Sequence, residues 1–317
     1  MSQRKTNTAV AGIDVGKRWL DVAICGQAEQ LRMSNDAVGI TALIEWLQAR
    51  GVARVGLEAS GGYEREALTA AQTAGMEVVL HQPLEVRLFA RLKRLKAKND
   101  RIDAALIAAA TAQADAVKAA SDPRLQELAE RMTAYEQISD QLAELRAFME
   151  QVRLKHLILK LRDVMGLLKA TKAKLAAEIL AEIKAHQDLL TRYRLLLSLK
   201  GVGPIVAATL VVRMPELGQM KRGQAAALLG VAPFDRDSGQ FKGHRFIAGG
   251  RKRPRRQVYM AALTAQRYDP TFKAVADRLR ARGKPKKLVL VAVMRRLIEA
   301  ANLILARGHP WTARAAA

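Results

Sequence analysis

The sequence is poor in cysteine, aromatic residues and acidic residues, and each shortage excludes a class of protein. One cysteine in 317 residues, Cys25, excludes a disulfide scaffold and any zinc site built from several cysteines. Aromatic residues make up only 4% of the chain. No uncharged run approaches the ~18 residues of a membrane-spanning helix, and the run over 201–212 stops at twelve. The N-terminal residues also lack the apolar core of a secretory signal, so the sequence predicts a cytoplasmic protein.

The shortage of acids leaves a large positive charge. There are 53 Lys and Arg residues against 30 Asp and Glu residues, a formal net charge of +23. Such a charge is unusual for a metabolic enzyme and predicts a polyanionic partner, with nucleic acid ahead of an acidic membrane surface. Half of the residues are hydrophobic, 50%, so real cores are expected in two or three domains.

Residues 1–120 predict an α/β domain. Apolar runs and turn residues indicate three strands, a helix, and then two further strands separated by a helix; the strands are Thr8–Asp14, Trp19–Cys25, Glu29–Met33, Val52–Leu57 and Glu77–His81. Asn35 or Asp36 is expected to cap the first helix, and Gly51 to end it. Such a sheet places its ligand site at the carboxyl ends of the strands.

The rest of the chain predicts helices only, which makes the fold class α/β plus all-α. Residues 121–192 carry apolar positions at steps of three and four, typical of a long amphipathic helix that continues around Gly166 to about Leu190. We expect a coiled-coil hairpin or dimerisation arm, and the alternative is one layer of an ordinary helical bundle. Residues 193–317 begin with two helices joined at Gly201 and Gly203, which suit either a helix-hairpin-helix phosphate clamp or a turn without a ligand.

Four acids stand out in a basic chain because they follow strands or open a helix. Asp14 ends the first strand and Glu58 the fourth, while Asp100 and Asp103 are three residues apart at a predicted helix start. Four carboxylates of this kind suit two Mg²⁺ or Mn²⁺ ions. The alternative is that the aspartates are helix caps and Glu58 a loop residue.

Basic residues surround these acids and also a serine further along the chain. We expect Arg94, Lys96, Lys98 and Arg101 to contact nucleic acid beside the acids. Ser238 lies in a predicted turn, and within the segment only Asp237 opposes the cations around it. The cations that follow the serine are Lys242, Arg245, Arg251, Lys252, Arg253, Arg255 and Arg256. The serine is either a turn residue or a nucleophile whose activation must come from elsewhere.

With these motifs in place, nearly the whole chain resembles the DEDD transposases of bacterial insertion sequences, which are bridge-RNA-guided recombinases, and their relatives the Piv-type DNA invertases. One set of motifs matches a RuvC-like, RNase H-fold domain: Gly12-Ile13-Asp14-Val15, Leu57-Glu58-Ala59-Ser60-Gly61 and Asn99-Asp100-Arg101-Ile102-Asp103-Ala104. A second set matches the family's transposase domain: Gly201-Val202-Gly203-Pro204, Leu229-Gly230-Val231-Ala232-Pro233, Asp237-Ser238-Gly239 and Tyr259-Met260-Ala261-Ala262. Each motif is weak alone, but their order is specific.

The resemblance implies roles that composition does not. It makes Asp14, Glu58, Asp100 and Asp103 the metal ligands, with Mg²⁺ or Mn²⁺ as cofactor, and Ser238 the nucleophile. It also implies donor and target DNA, a structured noncoding guide RNA, and homodimers assembling to homotetramers in the prokaryotic cytoplasm at the nucleoid. Sites would combine the acidic domain of one protomer with the serine domain of another.

Three other functions remain open on the sequence. A RuvC-like junction nuclease would hydrolyse DNA through metal-bound water, and an invertase would recombine DNA without RNA. A non-catalytic architectural protein would only bind nucleic acid, and its acids and Ser238 would be dispensable.

Overall fold

The protein is described by a computed structural model over residues 9–93, 100–115, 122–235 and 245–313, with the side chains of 100–102 left out. The chain divides into two compact units, Met1–Ser121 and Asp122–Ala317, and each has its own hydrophobic core. The separate folding of residues 121–192 and 193–317 stays a prediction. No helix of the described ranges is long and apolar enough to span a membrane.

The first unit is built on a five-stranded mixed sheet in the order β3-β2-β1-β4-β5. The strands are β1 Ala9–Val15, β2 Trp19–Ile24, β3 Gln30–Ser34, β4 Val52–Glu58 and β5 Glu77–His81. The first three are antiparallel neighbours, whereas β4 and β5 run parallel to β1. The predicted α/β domain of the RNase H fold type is thereby confirmed.

Three helices cover this sheet where the sequence predicts helices: α1 Ala37–Ala49, α2 Arg65–Thr73 and α4 Asp100–Ala112. A further helix, α3 Pro83–Leu92, packs against α4. Asp36 caps α1, since its carboxylate accepts a hydrogen bond of 2.9 Å from the amide of Gly39. The apolar positions Leu43 and Leu47 of α1 are fully buried in the core of the sheet. The 3.6-residue period of the sequence therefore marks the packed face of this helix.

The second unit begins with a helical hairpin formed by α5 Pro123–Met149 and α6 Lys155–Ala185. The chain reverses at residues 150–154, while Gly166 lies inside α6 without a break. The prediction of one continuous helix to about Leu190 is therefore wrong. The turn could not be seen in the sequence because residues 150–154 contain no glycine or proline. Leu128 and Met132 of α5 and Ile179 and Ile183 of α6 lie in the core of the unit, so one end of the hairpin is also a bundle layer.

Six further helices and a small two-stranded sheet complete the described part of this unit. They are α7 Gln187–Leu197, α8 Pro204–Arg213, α9 Gln224–Leu229, β6 Pro233–Phe234, β7 Phe246–Ile247, α10 Lys252–Tyr268, α11 Pro270–Ala281 and α12 Lys286–Arg307. β6 and β7 pair antiparallel. The all-α character predicted for the second part of the chain is confirmed apart from this short pair of strands.

Gly201, in the turn between α7 and α8, has a packing role. Its φ is +98°, and a Cβ there would lie 2.5 Å from the carbonyl oxygen of Ala261 and 2.8 Å from the amide nitrogen of Ala265. Only glycine allows α10 to approach this closely. Gly203 immediately precedes α8 and has open space around it. Phosphate binding by Gly201 and Gly203 stays a prediction.

Candidate active site

Asp14 and Glu58 lie side by side at the carboxyl edge of the sheet. β1 and β4 are parallel, with Gly12 opposite Gly56 and Ile13 opposite Leu57. One residue further, the same register brings Asp14 next to Glu58. Side chains alternate along a strand, so both acids lie on the face of the sheet that carries the two glycines. Both carboxylates are half-buried.

Helix α4 lies directly on this face because the glycines leave room for its backbone. A Cβ on Gly12 would lie 2.2 Å from the amide nitrogen of Ala108 and 2.3 Å from the carbonyl oxygen of Ala104. Gly56 is equally close to α4, since its Cβ would lie 1.7 Å from the Thr111 hydroxyl oxygen. A side chain at Gly12 would collide with the backbone of α4, and one at Gly56 would collide with the side chain of Thr111.

The direction of α4 brings its first turn to the acidic edge. At the far end of the helix, the guanidinium of Arg54 donates a hydrogen bond of 3.0 Å to the carbonyl of Ala114. Arg54 lies near the start of β4, so α4 runs antiparallel to the strand that ends in Glu58. The turn with Asp100 and Asp103 therefore lies toward the edge that holds Asp14 and Glu58.

The acids at this edge suit a hard divalent cation by type. Asp103 is half-buried, and Asp14, Glu58 and Asp103 each take part in a polar or electrostatic interaction in the protein. Among the described side chains, no three His, Cys, Asp or Glu residues are close enough to hold one ion, and the Asp100 side chain is not among them. Carboxylate oxygens are the ligands that Mg²⁺ and Mn²⁺ prefer. The ligand roles stay a prediction.

A fifth acid, Asp21, lies directly across from Asp14 in the antiparallel β1–β2 pair. Arg32 on β3 donates two hydrogen bonds to its carboxylate, each 2.8 Å long. The arginine offsets a negative charge that would otherwise add to that of Asp14. Sequence reasoning missed Asp21, although a single acid inside an apolar predicted strand was the feature that could have found it.

Two further residues near this edge were missed because they look like ordinary strand and turn residues. Trp19 is two residues before Asp21, so it lies on the same face of the sheet, and its side chain is 51% exposed. Asn35 donates from its side-chain amide to the carbonyls of Gly16 and Tyr63 at 2.9 and 3.1 Å. This residue joins the loops that follow β1 and β4.

His81 supports the edge from the next strand. It is opposite Glu58 in the β4–β5 pair, is only 6% exposed, and has its Nε2 2.8 Å from the Thr111 hydroxyl oxygen. Thr111 donates its own proton to the carbonyl of Ile107 at 2.7 Å, so Nε2 of His81 must be the donor to Thr111. The contact fixes α4 against β5 with a neutral imidazole.

The stability of the first unit is expected to fall as the pH drops below neutral. Burial lowers the pKa of His81 from its ordinary 6.5, against a smaller raising effect of Glu85. Below pH 6.5 the unfolded chain then binds more protons than the folded chain, so the stabilisation present above that pH is lost on acidification. Hydrogen exchange of β4 and β5 between about pH 5 and 7.5 should show this loss in the parent and a smaller loss in His81→Gln. The exposed His156→Gln is the control, and equal pH dependence in all three proteins would contradict the assignment.

The arginines at the start of α10 are held by acids from other elements. Arg251 contacts Glu216 at 2.5 Å, and Arg253 contacts Glu136 at 2.6 Å. Arg256 pairs with Asp140, Arg255 donates to the carbonyl of Gly249 at 2.7 Å, and Arg245 contacts Asp235 at 2.5 Å. Asp237 is the only acid close to these cations in the linear segment. In the folded chain, acids of α5 and of the turn after α8 also neutralise the arginines. Lys252 is exposed.

The structure describes no side chain for the remaining predicted site residues. Ser238, Lys242, Arg94, Lys96 and Lys98 lie outside the described residues, and Asp100 and Arg101 are described only as the first residues of α4. The ends of the segment that holds Ser238 are paired through Phe234 and Phe246. The functional roles predicted for Ser238, Lys242 and the basic residues before α4 stay predictions.

Two family models match the chain. One, described as a transposase, matches residues 11–156, and the other, described as the transposase IS116/IS110/IS902 family, matches residues 193–277. The chain belongs to the IS116/IS110/IS902 family of transposases. The first match contains all four predicted metal ligands and the second contains Ser238. Membership in this family makes the protein a DNA recombinase or transposase.

Relatives of this transposase include two pilin gene-inverting proteins. Those of Moraxella bovis and Moraxella lacunata are each 23% identical over 96% of this chain and 97% of their own. The insertion element IS900 uncharacterized 42 kDa protein of Mycobacterium paratuberculosis is 33% identical over 39% of this chain and 32% of its own. A solved T. thermophilus RuvC in complex with a Holliday junction substrate is 17% identical, with a TM-score of 0.29, over 35% of this chain and 98% of that chain.

Proposed function

We propose that this transposase cuts and exchanges DNA strands through a covalent phosphodiester on Ser238, assisted by a divalent cation. The cation-assisted part of the proposal is supported by the close approach of α4 to Gly12 and Gly56, which brings the turn of Asp100 and Asp103 toward Asp14 and Glu58. The role of Ser238 is supported by the family match over residues 193–277. Glycine inside a strand lowers stability, so two glycines at the contact with α4 indicate that the position of this helix is important for function.

The proposed chemistry is a transesterification. The Ser238 oxygen forms a bond to phosphorus while the bond from phosphorus to the 3′ oxygen breaks, and the serine proton is lost as the 3′ oxygen gains one. The energy of the broken bond is kept for rejoining, whereas hydrolysis would lose it. Mg²⁺ or Mn²⁺, when held by Asp14, Glu58, Asp100 and Asp103, would offset the negative charge of the phosphate.

The proposed partners follow the family resemblance. They are donor and target DNA, a structured noncoding guide RNA, and further copies of the chain in dimers and tetramers, in the cytoplasm. Inversion without RNA is the second candidate, and it is favoured by the similarity to gene-inverting proteins over 96% of the chain.

Trapping of a protein–DNA adduct tests the proposed nucleophile. We expect the parent to form a denaturant-resistant adduct with cleaved DNA, Ser238→Ala to form none, and both to bind DNA equally. Asp14→Asn should keep binding but lose cleavage. An adduct in Ser238→Ala would remove Ser238 from the mechanism. Cleavage by the parent without an adduct would favour the junction nuclease, and no cleavage by any protein would favour the architectural binder.

Removal of RNA tests the guide. We expect a discrete RNA to copurify with the protein, and recombination to stop after ribonuclease treatment and to return when that RNA is added. Undiminished recombination by the treated protein would show that the second candidate is correct.

A further inference from the structure

A third group of cations, which sequence reasoning did not single out, surrounds the turn between α11 and α12. Residues 278–298 contain no acid. Their cations are all exposed: Arg278, Arg280, Arg282, Lys284, Lys286, Lys287, Arg295 and Arg296. We call the six from Arg278 to Lys287 the α11–α12 cations. The group begins just after the second family match, which ends at residue 277.

The α11–α12 cations differ from the arginines of α10 in how they are neutralised. Arg251, Arg253 and Arg256 each pair with an acid of the same unit. Of the α11–α12 cations, Arg280 pairs with Asp277 at 2.8 Å, and no other ion pair to them occurs among the described residues. The α11–α12 cations can therefore contact a polyanion with little competition from acids of the chain, whereas Arg251, Arg253 and Arg256 are already paired.

The turn holds these cations on a fixed backbone. Gly283 adopts φ +68°, and the amide of Lys284 donates to the carbonyl of Leu279 at 3.1 Å, a hydrogen bond that closes the end of α11. The start of α11 is fixed by buried Asp269, whose carboxylate accepts from the amide of Thr271 and from the indole of Trp311, each at 2.9 Å. Because hydrogen bonds fix the backbone at both ends of α11, binding a partner here costs little backbone conformational entropy.

The first turn of α12 adds to the positive potential. Lys286 and Lys287 lie there, the turn has no acid, and Pro285 provides no side-chain cap. Cations at the positive end of a helix dipole are unfavourable unless an anion is bound nearby. Both the charges and the helix start thus favour a negatively charged partner.

We propose that the α11–α12 cations bind the phosphate backbone of duplex DNA. Residues 278–298 contain no aromatic side chain on which unpaired bases could stack, so a duplex backbone fits better than a single strand. The choice of DNA rests on the proposed function. The contact is independent of base sequence and uses residues other than the four acids and Ser238.

The salt dependence of binding tests this surface. The variant carries Arg282→Gln, Lys284→Gln, Lys286→Gln and Lys287→Gln, and its control removes four exposed lysines of α6 by Lys155→Gln, Lys160→Gln, Lys169→Gln and Lys174→Gln. The slope of log K against log salt is negative, and each lost phosphate contact reduces its magnitude by about 0.9, so the slope of the variant should be less steep by about 3 to 4. Affinity near 0.1 M salt should fall at least tenfold, whereas the control should change much less. Unchanged melting temperatures and circular dichroism establish that both proteins are folded.

The outcomes separate this inference from the proposed function. An unchanged slope in the α11–α12 variant, or an equal fall in the control, would overturn the inference while leaving the chemistry of Ser238 intact. A fall seen with duplex RNA or single-stranded DNA but not with duplex DNA would also overturn it. If the parent binds no DNA of any form, the proposed function itself fails.

Discussion

Gly12→Ala is expected to destabilise the first unit by more than about 3 kcal/mol and to abolish DNA cleavage. The added Cβ would lie 2.2 and 2.3 Å from backbone atoms of Ala108 and Ala104, and a helix backbone cannot rotate away as a side chain can. Overpacking of this kind costs about 1 to 3 kcal/mol, and more when backbone atoms collide. Displacement of α4 would also separate Asp103 from Asp14. Urea unfolding and cleavage of a DNA substrate measure the two effects.

Gly166→Ala is the matched control for that substitution. Gly166 lies inside α6, and its added Cβ would meet no atom within 4 Å. Alanine is the better helix former by about 1 kcal/mol, so this variant should be as stable as the parent or more stable, with unchanged cleavage. Equal behaviour of the two variants would show that the contact of α4 with the sheet tolerates a side chain.

Glu136→Gln is expected to destabilise the second unit by about 3 kcal/mol. The Glu136 carboxylate, only 11% exposed, contacts Arg253 of α10 at 2.6 Å and Arg213 of α8 at 3.4 Å. Burial is the main cause that lowers the pKa of Arg213, and Glu136 opposes it. Loss of the acid leaves the largely buried guanidinium of Arg213 beside Arg253 without its carboxylate partner, and breaking a buried pair from one side is strongly destabilising. Hydrogen exchange along α5 and urea unfolding measure the effect.

Asp140→Asn is the control one helical turn further along α5. Asp140 pairs with Arg256 of the same helix α10, but their side chains are 38% and 63% exposed. An exposed ion pair contributes less than about 1 kcal/mol, so this variant should be close to the parent. A loss as large as that of Glu136→Gln would show that burial does not set the difference between the two pairs.

The strands of the first unit could be predicted because their patterns are local. Val52–Leu57 is a largely apolar run between Gly51 and a glycine-rich turn. The sequence offers Asn35 or Asp36 as the cap of α1, and the structure shows that it is Asp36. The reversal at 150–154 could not be predicted in the same way. Apolar positions continue through it, and the contacts between α5 and α6 decide where the chain turns.

In the candidate site, too, the features that are local in sequence could be predicted and those that depend on tertiary contacts could not. Alternation and motif order indicated Asp14, Glu58, Asp100 and Asp103, since strand ends and helix starts are local features. The sequence does not show that Gly12 and Gly56 admit α4, or that Asp21 stands across from Asp14, because these depend on strand register.

The sequence by itself determined the family, the α/β and helical halves of the chain, and an excess of positive charge. Only the tertiary structure decided where that charge is available. Glu136, Asp140 and Glu216 are remote in sequence from the arginines of α10, yet they neutralise Arg253, Arg256 and Arg251. The α11–α12 cations other than Arg280 form no ion pair among the described residues. Electrostatic pairing depends on distances in space, which composition does not contain.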